Sequence, residues 1–207
     1  EGYKMSMISG VSKNKSNEYL KKIMFFEGSK NYMYCDSRGN VTIGVGNMLP
    51  NSNAAAKLGF KKGKSQATTK QIKDDFEKVK NNYKKGYKAS YYKQFSDVRL
   101  ADKTIKSNLK EEIKSVVKRL KVRISKYNKN HSKTIDFIGL PANVKVAMVD
   151  MAYNLGLNGL FNKFPTFLKH IANGDYKKAA KESKRGGIQK SRNEYIKNLL
   201  KHPPSSK

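Results

Sequence analysis

The sequence predicts an α+β fold, mostly α, with one small hairpin lobe near the N-terminus and a larger helical lobe. Two observations carry that prediction. Hydrophobic residues switch from helical to alternating spacing and back within the first 70 positions, and long amphipathic runs fill the second half. The 207 residues suit one domain, or a small lobe joined to a larger one.

Residues 1–16 read as a linker or leader, polar and irregular up to Ser12-Lys13-Asn14-Lys15. The opening Glu1-Gly2-Tyr3-Lys4 suggests an excised domain or processed product. Ser16 or Asn17 can cap a helix carrying Tyr19, Leu20, Ile23, Met24 and Phe26, with Gly28 as its stop after Glu27. Tyr32 and Tyr34 lead into the turn cluster Asp36-Ser37-Arg38-Gly39-Asn40. Val41, Ile43 and Val45 then alternate with Thr42, Gly44 and Gly46, the pattern of a strand returning from a hairpin. The hairpin lobe is expected over about 30–60, and residues 50–66 read as loop.

From Thr69 onward helices dominate. Ile72, Phe76 and Val79 mark one, and Ile105, Leu109, Ile113, Val116, Leu120 and Ile124 mark a long one over about 104–127. Pro141 opens a helix bearing Val144, Ala147, Met148, Met151 and Leu155, with Gly156 as its stop. Shorter helices are expected over 165–174, 175–183 and 191–201. The domain proper spans 17–202, and 203–207 is a tail.

Composition bounds the partners. The chain carries 44 basic and 16 acidic side chains, a formal charge of +28, which concentrates polyanions at its surface in a salt-dependent way. Only six of the cations are Arg (38, 99, 119, 123, 185 and 192). Lys is a solvated point charge, whereas planar reading of bases and phosphates favours Arg, so a diffuse coat fits better than a specific nucleic-acid reader. A single Cys35 excludes an internal disulfide and, with no base close in sequence, reads as a small apolar residue. His131, His170 and His202 lack ligand spacing, so neither a metal site nor a cofactor is expected. No stretch approaches the roughly 20 apolar residues needed to span a membrane.

Glu27, Asp36 and Thr42 form the candidate catalytic constellation. A glycosidase needs two groups flanking the scissile bond, one to protonate the leaving oxygen and one to handle water or the anomeric carbon. A carboxylate at a helix C-terminus faces the negative end of the helix dipole, which favours the protonated form a general acid presents. Thr42, Gly44 and Gly46 share one strand face and Val41, Ile43 and Val45 the other. The two glycines would leave the first face bare for a sugar ring.

Phe26-Glu27-Gly28, Tyr34-Cys35-Asp36, Gly39 and Thr42-Ile43-Gly44-Val45-Gly46 resemble the active-site hairpin of the phage-type lysozymes. That family spaces its Glu, Asp and Thr by nine and then six residues, as this chain does. Ala147-Met148-Val149-Asp150-Met151-Ala152-Tyr153-Asn154-Leu155-Gly156 resembles the family's core helix. Phe164, Gly174-Asp175-Tyr176 with Ala179-Ala180, and Gln189 with Arg192 continue the likeness. Residues 60–138 carry no recognised motif. Asn47 departs from the family pattern, where His is common.

The resemblance implies a lysozyme-like fold with a cleft between two lobes and a muramidase activity without a cofactor. It makes Glu27 the general acid, and Asp36, aided by Thr42, the holder of the attacking water, giving inversion. It also implies Gly44, Gly46, Met48, Tyr153 and Asn154 as substrate-binding residues and Arg192 as support for the catalytic Glu. The expected partners are peptidoglycan and anionic wall polymers at the wall or periplasm of a target bacterium. An immunity protein is a candidate partner, and a monomer is expected. Two alternatives stand beside this reading: a basic nucleic-acid- or membrane-binding module without catalysis, and a chitin- or chitosan-cleaving glycosidase of the same fold.

Overall fold

The computed structural model describes residues 6–203. It is mostly helical, at 59%, with small antiparallel sheets, so the predicted α+β class with α dominant holds. The chain divides into two compact units: one holds Lys22–Leu109, the other the residues up to Lys21 and from Lys110 onward. The linker or leader over 1–16 and the tail over 203–207 lie partly outside the described residues. Within them, Met7, Ile8 and Val11 are buried. Helix α1 (Lys13–Glu27) starts earlier than the Ser16 or Asn17 cap. Ser12 takes that role, its hydroxyl accepting from the Lys15 N–H at 3.2 Å, and Ser16 is buried.

In the Lys22–Leu109 unit, β1 (Lys30–Cys35), β2 (Val41–Gly44) and β3 (Asn47–Met48) form an antiparallel sheet in chain order. The register pairs Tyr34 with Thr42, Cys35 with Val41, and Thr42 with Met48. Paired residues share a face, so Cys35, Val41 and Ile43 line the packed side, all nearly inaccessible. The opposite face carries Tyr34, Thr42 and Met48 in one row across the three strands.

The stretch expected as loop over 50–66 contains short regular elements. Asn51 caps α2 (Ser52–Ala56), its side chain accepting from the Ala54 N–H at 2.9 Å, and three alanines sustain the turn. Beyond it β4 (Lys61–Lys62) and β5 (Ser65–Gln66) turn about Gly63 at φ +59°, and β4 also pairs with β6 (Val98–Arg99). Elements of two to five residues are too short for hydrophobic period to reveal. Helix α3 (Thr69–Asn81) opens on a capping box between Thr68 and Gln71 and buries Ile72, Phe76 and Val79. The short α4 (Ala89–Tyr92) follows. Buried Asp75 accepts from Ser96 Oγ and the N–H groups of Asp97 and Val98, tying that loop to α3.

Helix α5 (Asp102–Lys129), like α1, contributes residues to both units. The second unit is otherwise built from α6 (Ala142–Lys163), α7 (Pro165–Ala172), α8 (Tyr176–Lys181) and α9 (Lys190–Lys201). The stop expected at Gly156 is a kink instead. That glycine takes φ +71° and ψ 163°, and the helix resumes beyond it. Val144, Met148, Leu160, Phe167, Leu168, Ile196 and Leu200 are fully inaccessible. Each such side chain contributes about 1.5–3 kcal/mol through apolar burial. No helix among the described residues is long and apolar enough to cross a membrane.

Candidate active site

Glu27 is the last residue of α1 and is exposed. The helix closes on Gly28 at φ +71°, whose N–H and that of Ser29 both donate to the Met24 carbonyl. A side chain here would be strained, so the glycine fixes where the chain leaves the helix and where Glu27 ends up.

Asp36 sits just past β1 at the start of a tight turn closed by Gly39 at φ +84°. The backbone loop is double: the Asp36 N–H donates to the Asn40 carbonyl, and the Gly39 N–H to the Asp36 carbonyl. One carboxylate oxygen, Oδ1, accepts from the N–H groups of Arg38 and Asn40, each at 2.9 Å. The other, Oδ2, accepts only the Asn40 side-chain amide, at 3.2 Å. Burial works to raise the Asp36 pKa, but the Asn40 and Arg38 amides, the Asn40 side chain and the Arg38 charge together hold it below the usual carboxylate range. Asp36 is therefore an anion with one oxygen fixed by amides and the other open to a further donor.

Thr42 is buried on β2, its hydroxyl donating to the Asn40 carbonyl at 3.1 Å. With that proton committed, the Thr42 oxygen keeps its capacity to accept from a further donor. Tyr34, paired with Thr42, stands in the sequence as a strand marker and within the Tyr34-Cys35-Asp36 motif, with no site role of its own expected. It belongs to the site: burial, then Asp36, Tyr32 and Glu27, push its phenol up, while the Gly46 N–H pulls it down. Tyr34 thus lies within electrostatic reach of both carboxylates and stays neutral. The usable signal was period two, since positions 34 and 36 share a face.

The two glycines differ. A Cβ at Gly44 would come within 3.3 Å of Ile105 Cγ2, so the bare face expected there is filled by packing. At Gly46 nothing lies within 4 Å, and that position alone of the two leaves open space. Met48 is 56% exposed, an apolar side chain in the same row as Thr42. Cys35 is buried beside the site, its thiol contacting the Val79 carbonyl at 3.5 Å. Burial, with Asp36 adding, pushes the thiol up to about 11.

Tyr153, Asn154 and Arg192 belong to the other unit. Tyr153 and Asn154 are half-buried in α6 before the kink, and the Asn154 side-chain oxygen accepts from Arg185 Nη1 at 3.3 Å. Arg192 is 2% exposed and grips Asp150, Nε at 3.2 Å and Nη2 at 2.8 Å. Arg185 Nη2 reaches the same carboxylate at 2.8 Å, and Tyr19 donates to it at 2.9 Å. Burial raises the Tyr19 phenol well above its ordinary value, with Asp150 adding, and lowers Arg185 despite Asp150. Asp150 lies within a sequence motif, but no local pattern marks it as the hub of this cluster. Among the described residues no group of three His, Cys, Asp or Glu is placed to hold a metal ion.

A search among curated proteins finds no match. The family model for phage lysozyme matches residues 92–201, just over half of the chain. The match takes in 92–138, part of the region where the sequence reading found no motif, and begins after the hairpin, so Glu27, Asp36 and Thr42 lie outside it. With a mostly helical α+β fold and a matched helical half, the chain belongs to the phage lysozyme family, whose enzymes hydrolyse peptidoglycan.

Proposed function

We propose that the chain is a muramidase cleaving the β-1,4 bond between N-acetylmuramic acid and N-acetylglucosamine with inversion, so that bacterial walls lyse. The observation that carries this reading is Asp36: an anion pinned through Oδ1 and open at Oδ2, one strand away from the Thr42 acceptor oxygen. A water held by these two oxygens would keep its lone pair free for the anomeric carbon. Asp36 is a weak base, so the proton passes to it as the C–O bond forms and the water turns acidic. Glu27 donates its proton to the leaving oxygen on the other side of the ring. Tyr34, neutral at any working pH, keeps a donor beside both groups without adding charge.

In this reading Gly46 and Met48 are the substrate-binding residues of the hairpin, and Tyr153 and Asn154 are the substrate-binding residues of α6. Gly44 contributes through packing rather than by touching sugar, and Arg192 supports the site. The +28 charge holds the enzyme on anionic wall polymers. The setting is the wall or periplasm of a target bacterium. The chain would work as a monomer, as the lysozyme domain of a larger antibacterial toxin or effector whose producer needs an immunity protein.

The test is release of reducing ends from purified peptidoglycan by the parent, Glu27→Gln and Asp36→Asn, with folding checked by circular dichroism. Muropeptides ending in reducing N-acetylmuramic acid, lost about 10²–10⁴-fold in both folded variants, are expected. Equal release by Glu27→Gln would sink the assignment, and salt-sensitive binding without any cleavage would favour a plain binding module. Cleavage of chitin in place of peptidoglycan would move the substrate but keep the residues.

A further inference from the structure

The turn that holds Asp36 has an outside support that neither the hairpin motif nor the family match contains. Tyr83, just past the end of α3, donates its hydroxyl to the Ser37 carbonyl at 2.7 Å, a contact between residues 46 positions apart. Its ring lies over Gly39, where an ideal Cβ would come within 3.2–3.3 Å of three ring atoms. Ser37 and Arg38, at the tip of the turn, are otherwise exposed. Tyr83 therefore touches the turn at two of the three residues that lie between Asp36 and Asn40.

Its own backbone is fixed on both sides. The Tyr83 N–H donates to the Lys80 carbonyl, and the Asn82 side chain caps α3 through the Lys78 carbonyl at 2.7 Å. On the far side, the fully buried Tyr92 accepts from the Lys84 N–H and donates to the Lys84 carbonyl. Helix α3 is in turn joined to the hairpin by the contact of Cys35 with Val79. A side chain anchored so firmly acts as a strut.

We propose that Tyr83 is a positioning residue for Asp36: it clamps the 36–40 turn so that the Arg38 and Asn40 amides stay aimed at the carboxylate. This rests on reading Asp36 as the holder of the attacking water. If the clamp loosens, the amides drift from Oδ1, the anion is less favoured, and the water is held less well. The bond to Ser37 is open to solvent, so its loss costs little global stability. Its effect is expected in the chemical step and in the acid limb of the pH profile.

The experiment measures kcat, KM and the pH dependence of kcat/KM on soluble glycan oligomers. It compares the parent, Tyr83→Phe, Tyr83→Leu, Asp36→Asn and, as a control at an exposed tyrosine a few residues on, Tyr87→Phe, with melting curves for each. Tyr83→Phe keeps the ring over Gly39 and loses the hydrogen bond; Tyr83→Leu loses both. Expected is a fall in kcat of about 3- to 10-fold for Phe and more for Leu, with KM changed by less than about 2-fold. The acid limb should move to higher pH in both, since weaker amide bonds let the carboxyl return toward about 3.9. Tyr87→Phe should match the parent. An inactive Asp36→Asn together with parental kcat and an unmoved limb in both Tyr83 variants overturns the proposal. So does a loss of kcat that tracks melting temperature with the limb unmoved. An Asp36→Asn that keeps parental activity overturns the reading of Asp36 itself.

Discussion

Two carboxylates in this molecule are held by opposite means. Asp36 is half-buried at the start of the hairpin turn and held by peptide N–H groups, with no cation in direct contact among the described residues. Asp150 is 1% exposed, with two guanidiniums at 2.8 Å and a phenol at 2.9 Å. The amides leave one oxygen of Asp36 with room for a donor that arrives and departs. The guanidiniums and phenol occupy both oxygens of Asp150. If Asp36 holds the attacking water as proposed, a catalytic carboxylate and a structural one differ here in what fills the second oxygen, more than in charge or motif.

The largest expected effects should separate the two sites cleanly. Asp36→Asn should lose about 10²–10⁴-fold in activity while melting close to the parent. Asp150→Asn should lose about 3–5 kcal/mol of stability, because two buried guanidiniums are left without their anion. Urea denaturation followed by circular dichroism measures this loss. If Asp150→Asn melts like the parent, the cluster is not what holds α6 and α9 together.

A smaller effect distinguishes the two glycines on the hairpin. Gly44→Ala adds a methyl against Ile105 at a positive φ and should cost about 1–3 kcal/mol. Gly46→Ala meets open space and carries only the strain of φ +69°, about 1 kcal/mol. Its consequence should instead be a higher KM. Equal stability losses would mean that Ile105 yields without cost.

The smallest effect concerns acid. The Asp36 carboxyl is held below its unfolded value, so its stabilisation is present above the ordinary carboxylate pKa. It is lost as pH falls through the folded value. The stability gap between parent and Asp36→Asn should therefore be small at neutral pH and vanish in strong acid. A gap that widens on acidification would contradict the amide account.

Local pattern reached some of this and missed the rest for physical reasons. The hairpin was legible because a change of period and four glycines lie within about 20 consecutive residues. The helices of the second unit were legible because their buried stripes run for several turns. Tyr83 was not, since its contact with Ser37 spans 46 positions and leaves no local signature. The filling of Gly44 by Ile105 was equally invisible: a bare strand face predicts space, and only packing decides who takes it. The small elements over 50–66 escaped because a capped five-residue helix and two-residue strands carry no measurable period.

The buried Cys35 makes the folded protein a blank background for covalent labelling. It is the chain's only cysteine, and with its thiol near 11 only about one molecule in 10⁴ carries a thiolate at neutral pH. A cysteine introduced as Met48→Cys, at the exposed end of the Thr42 row, would then be the one fast-reacting thiol. A fluorophore attached there would report whether glycan binds beside Thr42, with no fast-reacting native thiol to silence first.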